Sequence, residues 1–151
     1  MSENRAQRLA PVLDMALEEE RKAAGRLGEA QQQLDSAQAR LQDLEFYCNE
    51  YQNGWVQRGQ QGVGRDWLIN YQRFLAQMQT AIEQQQQTVI WNGQSLEKAR
   101  EHWRQRYQRL EGLRKLVERY HEEARFRADR QEQKLLDELS QRAFGRSSNN
   151  P

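Results

Sequence analysis

Cysteine occurs only once, at Cys48, so no intrachain disulfide can form. A lone thiol fits a reducing compartment. Long apolar runs are also missing. Nothing approaches the roughly 20 consecutive apolar residues that span a bilayer. No N-terminal run resembles a signal peptide, because residues 1–8 are polar and Pro11 and Asp14 interrupt Ala10–Leu17. Histidine is nearly absent. His102 and His121 lie far apart, with no cysteine or carboxylate cluster at ligand spacing, so no metal site is expected. The glycine-rich stretch Gly59–Gly64 lacks the Lys-Ser/Thr ending of a phosphate loop. The carboxylates lie on helix faces, where pairing with Arg or Lys at i,i+4 is their ordinary use. These absences point to a soluble, cytoplasmic, non-enzymatic protein, without catalytic residues, cofactor or metal and without membrane insertion.

Apolar residues are scarce too. They make up 36% of 151 residues, against 30% charged, and glutamine is frequent. A core of ordinary size is hard to fill from that composition. A long two-helix structure needs only a narrow apolar seam, and suits it. Thirteen aromatic residues (four Trp, five Tyr, four Phe) and sustained periodicity argue against disorder.

What is present is organised around Gly59-Gln60-Gln61-Gly62-Val63-Gly64, three glycines in six residues. Glycine reverses a chain easily because it takes positive φ without a Cβ clash. Before it, Leu9, Leu13, Ala16, Glu20, Ala23, Leu27, Ala30, Leu34, Ala37, Leu41, Leu44, Cys48, Tyr51 and Trp55 follow alternating steps of four and three. After it, the same alternation runs from Leu68 through Tyr71, Leu75, Met78 and Ile82 to Ala124, then shifts to Ala128, Leu135 and Leu139. Such steps are the heptad signature of supercoiled helices. The expected fold is all-α: a long antiparallel two-helix coiled-coil hairpin, with the second helix longer than the first. As one domain over 1–151, it places helix one at about 5–57, the turn at about 58–65, helix two at about 66–143 and a frayed tail at 144–151. Pro11 is expected in a first helical turn, Asp66 as the N-cap of helix two, and Gly145 at its end.

Centring the pairs on Val63 gives a register in which paired numbers sum to about 126. Small residues of arm one then meet large ones of arm two: Ala16 with Leu110, Ala23 with Trp103, Ala30 with Leu96, Ala37 with Val89. Glu20 falls opposite Arg106. The paired section is a rod about 70 Å long, and helix two outruns helix one by roughly 20 residues at the open end.

Two regions exceed what the seam needs. Trp67, Phe74 and Ala81, with Met78 and Gln85, form a stripe beside the seam, readable as a widened core edge or as a partner face. Trp91 and Ile90 carry the same ambiguity. The projecting end mixes Arg130, Gln133, Lys134, Asp137 and Arg142 with Leu135, Leu136, Leu139 and Phe144. That is a solvated amphipathic helix or one that docks into another protein. Residues 98–151 carry 14 Lys/Arg against 9 Asp/Glu. A nucleic-acid-binding arm is the rival reading, although such arms are usually more one-sided.

Four stretches resemble the flagellar export protein FliJ family: Leu41-x-x-Leu44-x-x-Tyr47-x-x-x-Tyr51; Trp67-Leu68-Ile69-Asn70-Tyr71-x-x-Phe74 through Ala81-Ile82; Arg100-x-x-Trp103 leading to Leu110 and Leu113; and Glu132-Gln133-Lys134-x-x-Asp137-Glu138-x-x-x-Arg142. The likeness runs in order along nearly the whole chain. It implies a stalk or adaptor of the bacterial flagellar type III export apparatus, like the rotor stalk of rotary ATPases. The implied partners are the hexameric export ATPase, the export gate membrane protein and substrate chaperones, at the cytoplasmic side of the membrane. It also implies that Phe74, Met78, Ala81 and Gln85 lie in the gate-contacting face, with Trp67 extending it, and that Leu13, Arg130, Gln133, Lys134, Asp137 and Arg142 face the ATPase. The stalk protein of a virulence injectisome is the nearest alternative.

Overall fold

The structure is a computed structural model that describes residues 2–62 and 64–148. Two helices account for nearly all of it: α1, Ser2–Gly59, 58 residues, and α2, Arg65–Ser148, 84 residues. There is no strand among the described residues. The fold is the antiparallel two-helix hairpin that the heptads indicate, with α2 the longer arm. Both helices outrun the periodicity. α1 begins at Ser2, so Pro11 lies inside the helix rather than in its first turn. Having no N–H, Pro11 leaves the Gln7 carbonyl without its usual i+4 donor. Gly145 is helical and does not end α2. The expected tail residues 149–151 lie outside the described residues, as does Val63 at the centre of the register.

The turn is closed by the α1 C-terminus. Gln60 N donates to the Val56 carbonyl, Gln61 N to that of Arg58, and Gly62 N to that of Gly59. Gly62 adopts φ +86°, the left-handed region that a Cβ disfavours. Across the turn, Leu68 N donates to the Gly64 carbonyl. Gly64 therefore takes the N-cap position, and Asp66 sits within the first turn of α2. There its carboxylate faces the positive end of the helix dipole instead of capping an N–H.

Contacts divide the chain into two compact units, Lys22–Arg104 and Met1–Arg21 with Gln105–Pro151. In the Lys22–Arg104 unit, the buried apolar side chains are Ala23, Ala37, Cys48 and Leu96. Near the turn the seam becomes aromatic. Tyr51 stacks on Phe74 with centroids 3.7 Å apart, and Trp55 lies 4.7 Å from Trp67 and 5.2 Å from Tyr71. A Cβ on Gly59 would come within 3.3 Å of the Trp67 ring, so glycine there lets the indole lie against the end of α1. Farther along, polar seam residues of α2 reach the α1 backbone. Gln85 Nε2 donates to the Ala37 carbonyl at 2.9 Å, and Asn92 Nδ2 to that of Gln33 at 3.4 Å. Paired numbers sum to 125 for Tyr51–Phe74 and for Gln33–Asn92, and to 122 for Ala37–Gln85.

In the other unit Ala6, Ala16 and Leu110 are buried. Arg5 lies over the Tyr120 ring at 5.7 Å, again a sum of 125. The carboxylate that Arg106 Nη1 meets here is Glu19, at 3.2 Å, with Arg109 at 3.7 Å from the same oxygen. Glu19 is the neighbour of Glu20, the residue that the register sets opposite Arg106, and lies at the seam's solvent-facing flank, where the long arginine can reach it while staying hydrated. With both partners more than a third exposed, such a pair contributes about 0–1 kcal/mol.

Candidate functional site

Burial along α2 stops at Ala124, and every residue from Arg125 to Arg146 is exposed. Arg5 over Tyr120 gives a pairing sum of 125, which sets Ser2, the first described residue of α1, opposite position 123. Apolar residues nevertheless recur beyond it, in the shifted pattern of Leu135 and Leu139. Phe126, Leu135, Leu136, Leu139 and Phe144 are 54–78% exposed. At 3.6 residues per turn, nine positions correspond to about 180°. Phe126 and Phe144 therefore lie on one side of the free helix and Leu135 on the other, with Leu139 beside it. An amphipathic helix that packs on one surface has a single apolar stripe. With Leu136 about 80° from Phe126, between it and Leu139, the apolar side chains here spread over about half of the helix circumference, wider than one stripe.

The other side of the helix is a mixed-charge surface. Arg130, Gln133, Lys134 and Asp137 come together along one open groove, with Gln131. Gln133 Nε2 donates to Asp137 Oδ1 at 3.3 Å, and the Arg130 guanidinium lies over the Phe126 ring at 5.6 Å. Four of the expected end residues are thus neighbours. Arg142 is exposed one turn farther on. Leu13 is separate from them. It forms the apolar floor of another groove with Val117, rimmed by Arg114, Glu118, His121 and Arg125.

The stripe near the turn is placed differently. Trp67, Phe74, Met78, Ala81 and Gln85 are all half-buried. Phe74 is engaged by Tyr51, Trp67 by Trp55 and Tyr71, and Gln85 by the Ala37 carbonyl. They edge the seam, and what each presents to solvent is its outer flank only. The indole Nε1 of Trp67 is buried without a hydrogen-bond partner. The more exposed apolar side chains near the turn are Phe46, Tyr47, Val56, Leu68 and Ile69. Phe46 and Val56 were not singled out from sequence, because isolated apolar residues off the heptad carry no periodic signal. Ile90 and Trp91 are exposed, which removes them from the core.

Among the described residues, no group of three or more His, Cys, Asp or Glu is gathered to hold a metal ion, and no helix is long and apolar enough to cross a membrane.

The family model for the flagellar FliJ protein matches residues 5–149. The flagellar FliJ protein of Escherichia coli (strain K12) is 35% identical over 135 residues, covering 89% of this chain and 92% of that one. The FliJ protein of Salmonella typhi is 33% identical over the same shares. Among solved structures, a putative YscO homolog from Chlamydia trachomatis superposes with a TM-score of 0.69 at 22% identity, covering 95% of this chain and 97% of that one, a likeness of fold. With the family model spanning both helices and the turn, the chain belongs to the flagellar FliJ family, non-enzymatic components of the flagellar export apparatus.

Proposed function

We propose that this chain is the stalk of the flagellar export ATPase. Its free α2 end enters the central opening of the hexameric ring, promotes ring assembly, and couples the ring to the export gate and to substrate chaperones at the cytoplasmic face of the membrane. One observation carries the reading: the exposed segment 125–146 spreads apolar side chains over about half its circumference and mixed charge over the rest, so that no side of it is without contacts to offer. A ring lumen touches a helix all round, whereas a flat docking surface uses one stripe. The mixed signs of Arg130, Lys134 and Asp137 suit a polar lumen better than a lipid surface, which selects one-sided cationic faces. Near the turn, the outer flanks of Phe74, Met78, Ala81 and Gln85, with the edge of Trp67, are available to the gate, while the inner flanks of Trp67, Phe74 and Gln85 meet the facing helix.

The test is the ATPase rate and hexamer population of the cognate export ATPase, measured near its dissociation concentration. Native protein is expected to raise both. Arg130→Glu, Lys134→Glu and Asp137→Lys are expected to lose the stimulation with helicity unchanged. Stimulation by all three variants at the native level would refute the assignment of this end. The nucleic-acid reading is disfavoured by local neutralisation of the basic third: Arg100, Arg104 and Arg114 each bond a glutamate three residues earlier.

A further inference from the structure

Four helical glycines in the Lys22–Arg104 unit serve no packing purpose. A Cβ added to Gly25, Gly28, Gly54 or Gly93 meets nothing within 4 Å. Close approach therefore does not require glycine at these positions, yet each disfavours helix relative to alanine by about fivefold in equilibrium terms. Gly25, Gly28 and Gly93 come together across the seam. With Asn92 against Gln33, Gly93 faces residue 32, and Gly25 and Gly28 face residues 100 and 97. All three fall within two facing windows, 25–32 and 93–100.

Packing across the seam does not offset this: Leu96 is the one buried side chain in the two windows, as Ala37 is in 36–44 and 78–86. The bond from Asn92 to the Gln33 carbonyl, at 3.4 Å, is long and solvent-exposed, against 2.9 Å for the part-buried bond from Gln85 to Ala37. An open groove lined by Glu29, Gln32, Gln33, Ser36 and Asn92 adjoins it. The ion pair of the segment, Arg100 with Glu97, lies within α2 and ties nothing across the seam. On the turn side, by contrast, five interlocked rings hold the helices together.

We propose that residues 25–32 and 93–100 form a built-in waist, at which the hairpin opens and bends ahead of the neighbouring sections of the same unit. The physical basis is a coincidence of weak helix propensity on both arms with the longer, solvent-exposed cross-seam bond beside them. A coiled coil loaded at its ends deforms where opening is least costly, and these windows are that place.

Hydrogen–deuterium exchange on the full chain tests this. Amides of 25–32 and 93–100 are expected to exchange at least tenfold faster than those of 36–44 and 78–86. The triple variant Gly25→Ala, Gly28→Ala, Gly93→Ala is expected to slow the windows by about a hundredfold, the product of three fivefold effects, and the flanks by less than threefold. Gly54→Ala serves as control, since its Cβ site is equally open and lies outside the windows. It is expected to leave the windows unchanged. Uniform protection across the unit, equal slowing of windows and flanks by the triple variant, or slowing of the windows by Gly54→Ala would each overturn the proposal.

Discussion

Leu110 and Leu135 occupy α2 with the same residue type and the same helical conformation, but only Leu110 has α1 against it. Leu110 is 2% exposed and Leu135 is 59% exposed. Truncating Leu110 to alanine removes buried methyl groups and leaves a cavity beside Ala16, which is also 2% exposed and too small to fill it. Leucine-to-alanine changes in closed cores cost about 2–5 kcal/mol. A two-helix seam is open to water on both sides and can partly close by approach of the helices, so the lower part of that range applies, about 2–3 kcal/mol. Leu135→Ala removes no buried contact and replaces one good helix former with a better one, so its effect is expected within about 0.5 kcal/mol. Urea titrations followed by far-ultraviolet circular dichroism separate the two: the Leu110→Ala midpoint falls clearly and that of Leu135→Ala stays in place. Equal destabilisation by both variants would refute the assignment of the free end. It would mean that Leu135 is packed against something in the isolated protein.

The turn section offers two further tests. Tyr51→Ala and Phe74→Ala, alone and combined, are expected to show a coupling of about 0.5–1.5 kcal/mol in a double-mutant cycle, as their rings stack at 3.7 Å; additive losses would place the rings apart in solution. Gly62→Ala is expected to lower stability by about 1–2 kcal/mol, because φ +86° is strained for a residue with a Cβ, and a thermal midpoint at or above that of the native chain would refute this.

Heptad spacing made the two helices, their antiparallel order and the approximate register legible, because a seam only one or two residues wide leaves a strict period in the sequence. Contacts such as Tyr51–Phe74 and Arg5–Tyr120 fall within one residue of the pairing centred on Val63. What was not legible lies below the resolution of a heptad. Glu19 and Glu20 are both half-buried neighbours, and which one meets Arg106 depends on how a long guanidinium leans across the seam. The cap of α2 moved from Asp66 to Gly64 for a similar reason. Glycine satisfies the backbone requirement two residues earlier, and nothing in local propensity ranks the two sites. Pro11 marks a helix start in most contexts, but flanking helix formers and the buried Ala6 and Ala16 carry α1 through it.

The stripe of Trp67, Phe74, Met78, Ala81 and Gln85 and the free end differ in what periodicity can say about them. Beside a seam, an apolar residue has two claimants, the facing helix and an outside partner, and the pattern is the same for both. Here the facing helix takes the inner flank of Phe74, Trp67 and Gln85, through Tyr51, Trp55 and the Ala37 carbonyl, and Met78 and Ala81 are half-buried beside them. At the free end the ambiguity is absent. Ala124 closes the first repeat and is half-buried, whereas Leu135 belongs to the shifted pattern beyond it and is exposed. Apolar periodicity that continues past the last half-buried position specifies apolar surface with no internal use, and in this chain that surface is 125–146. Its apolar side chains, from Phe126 and Phe144 through Leu136 and Leu139 to Leu135, cover about half the helix, more than the single stripe that a flat docking surface uses.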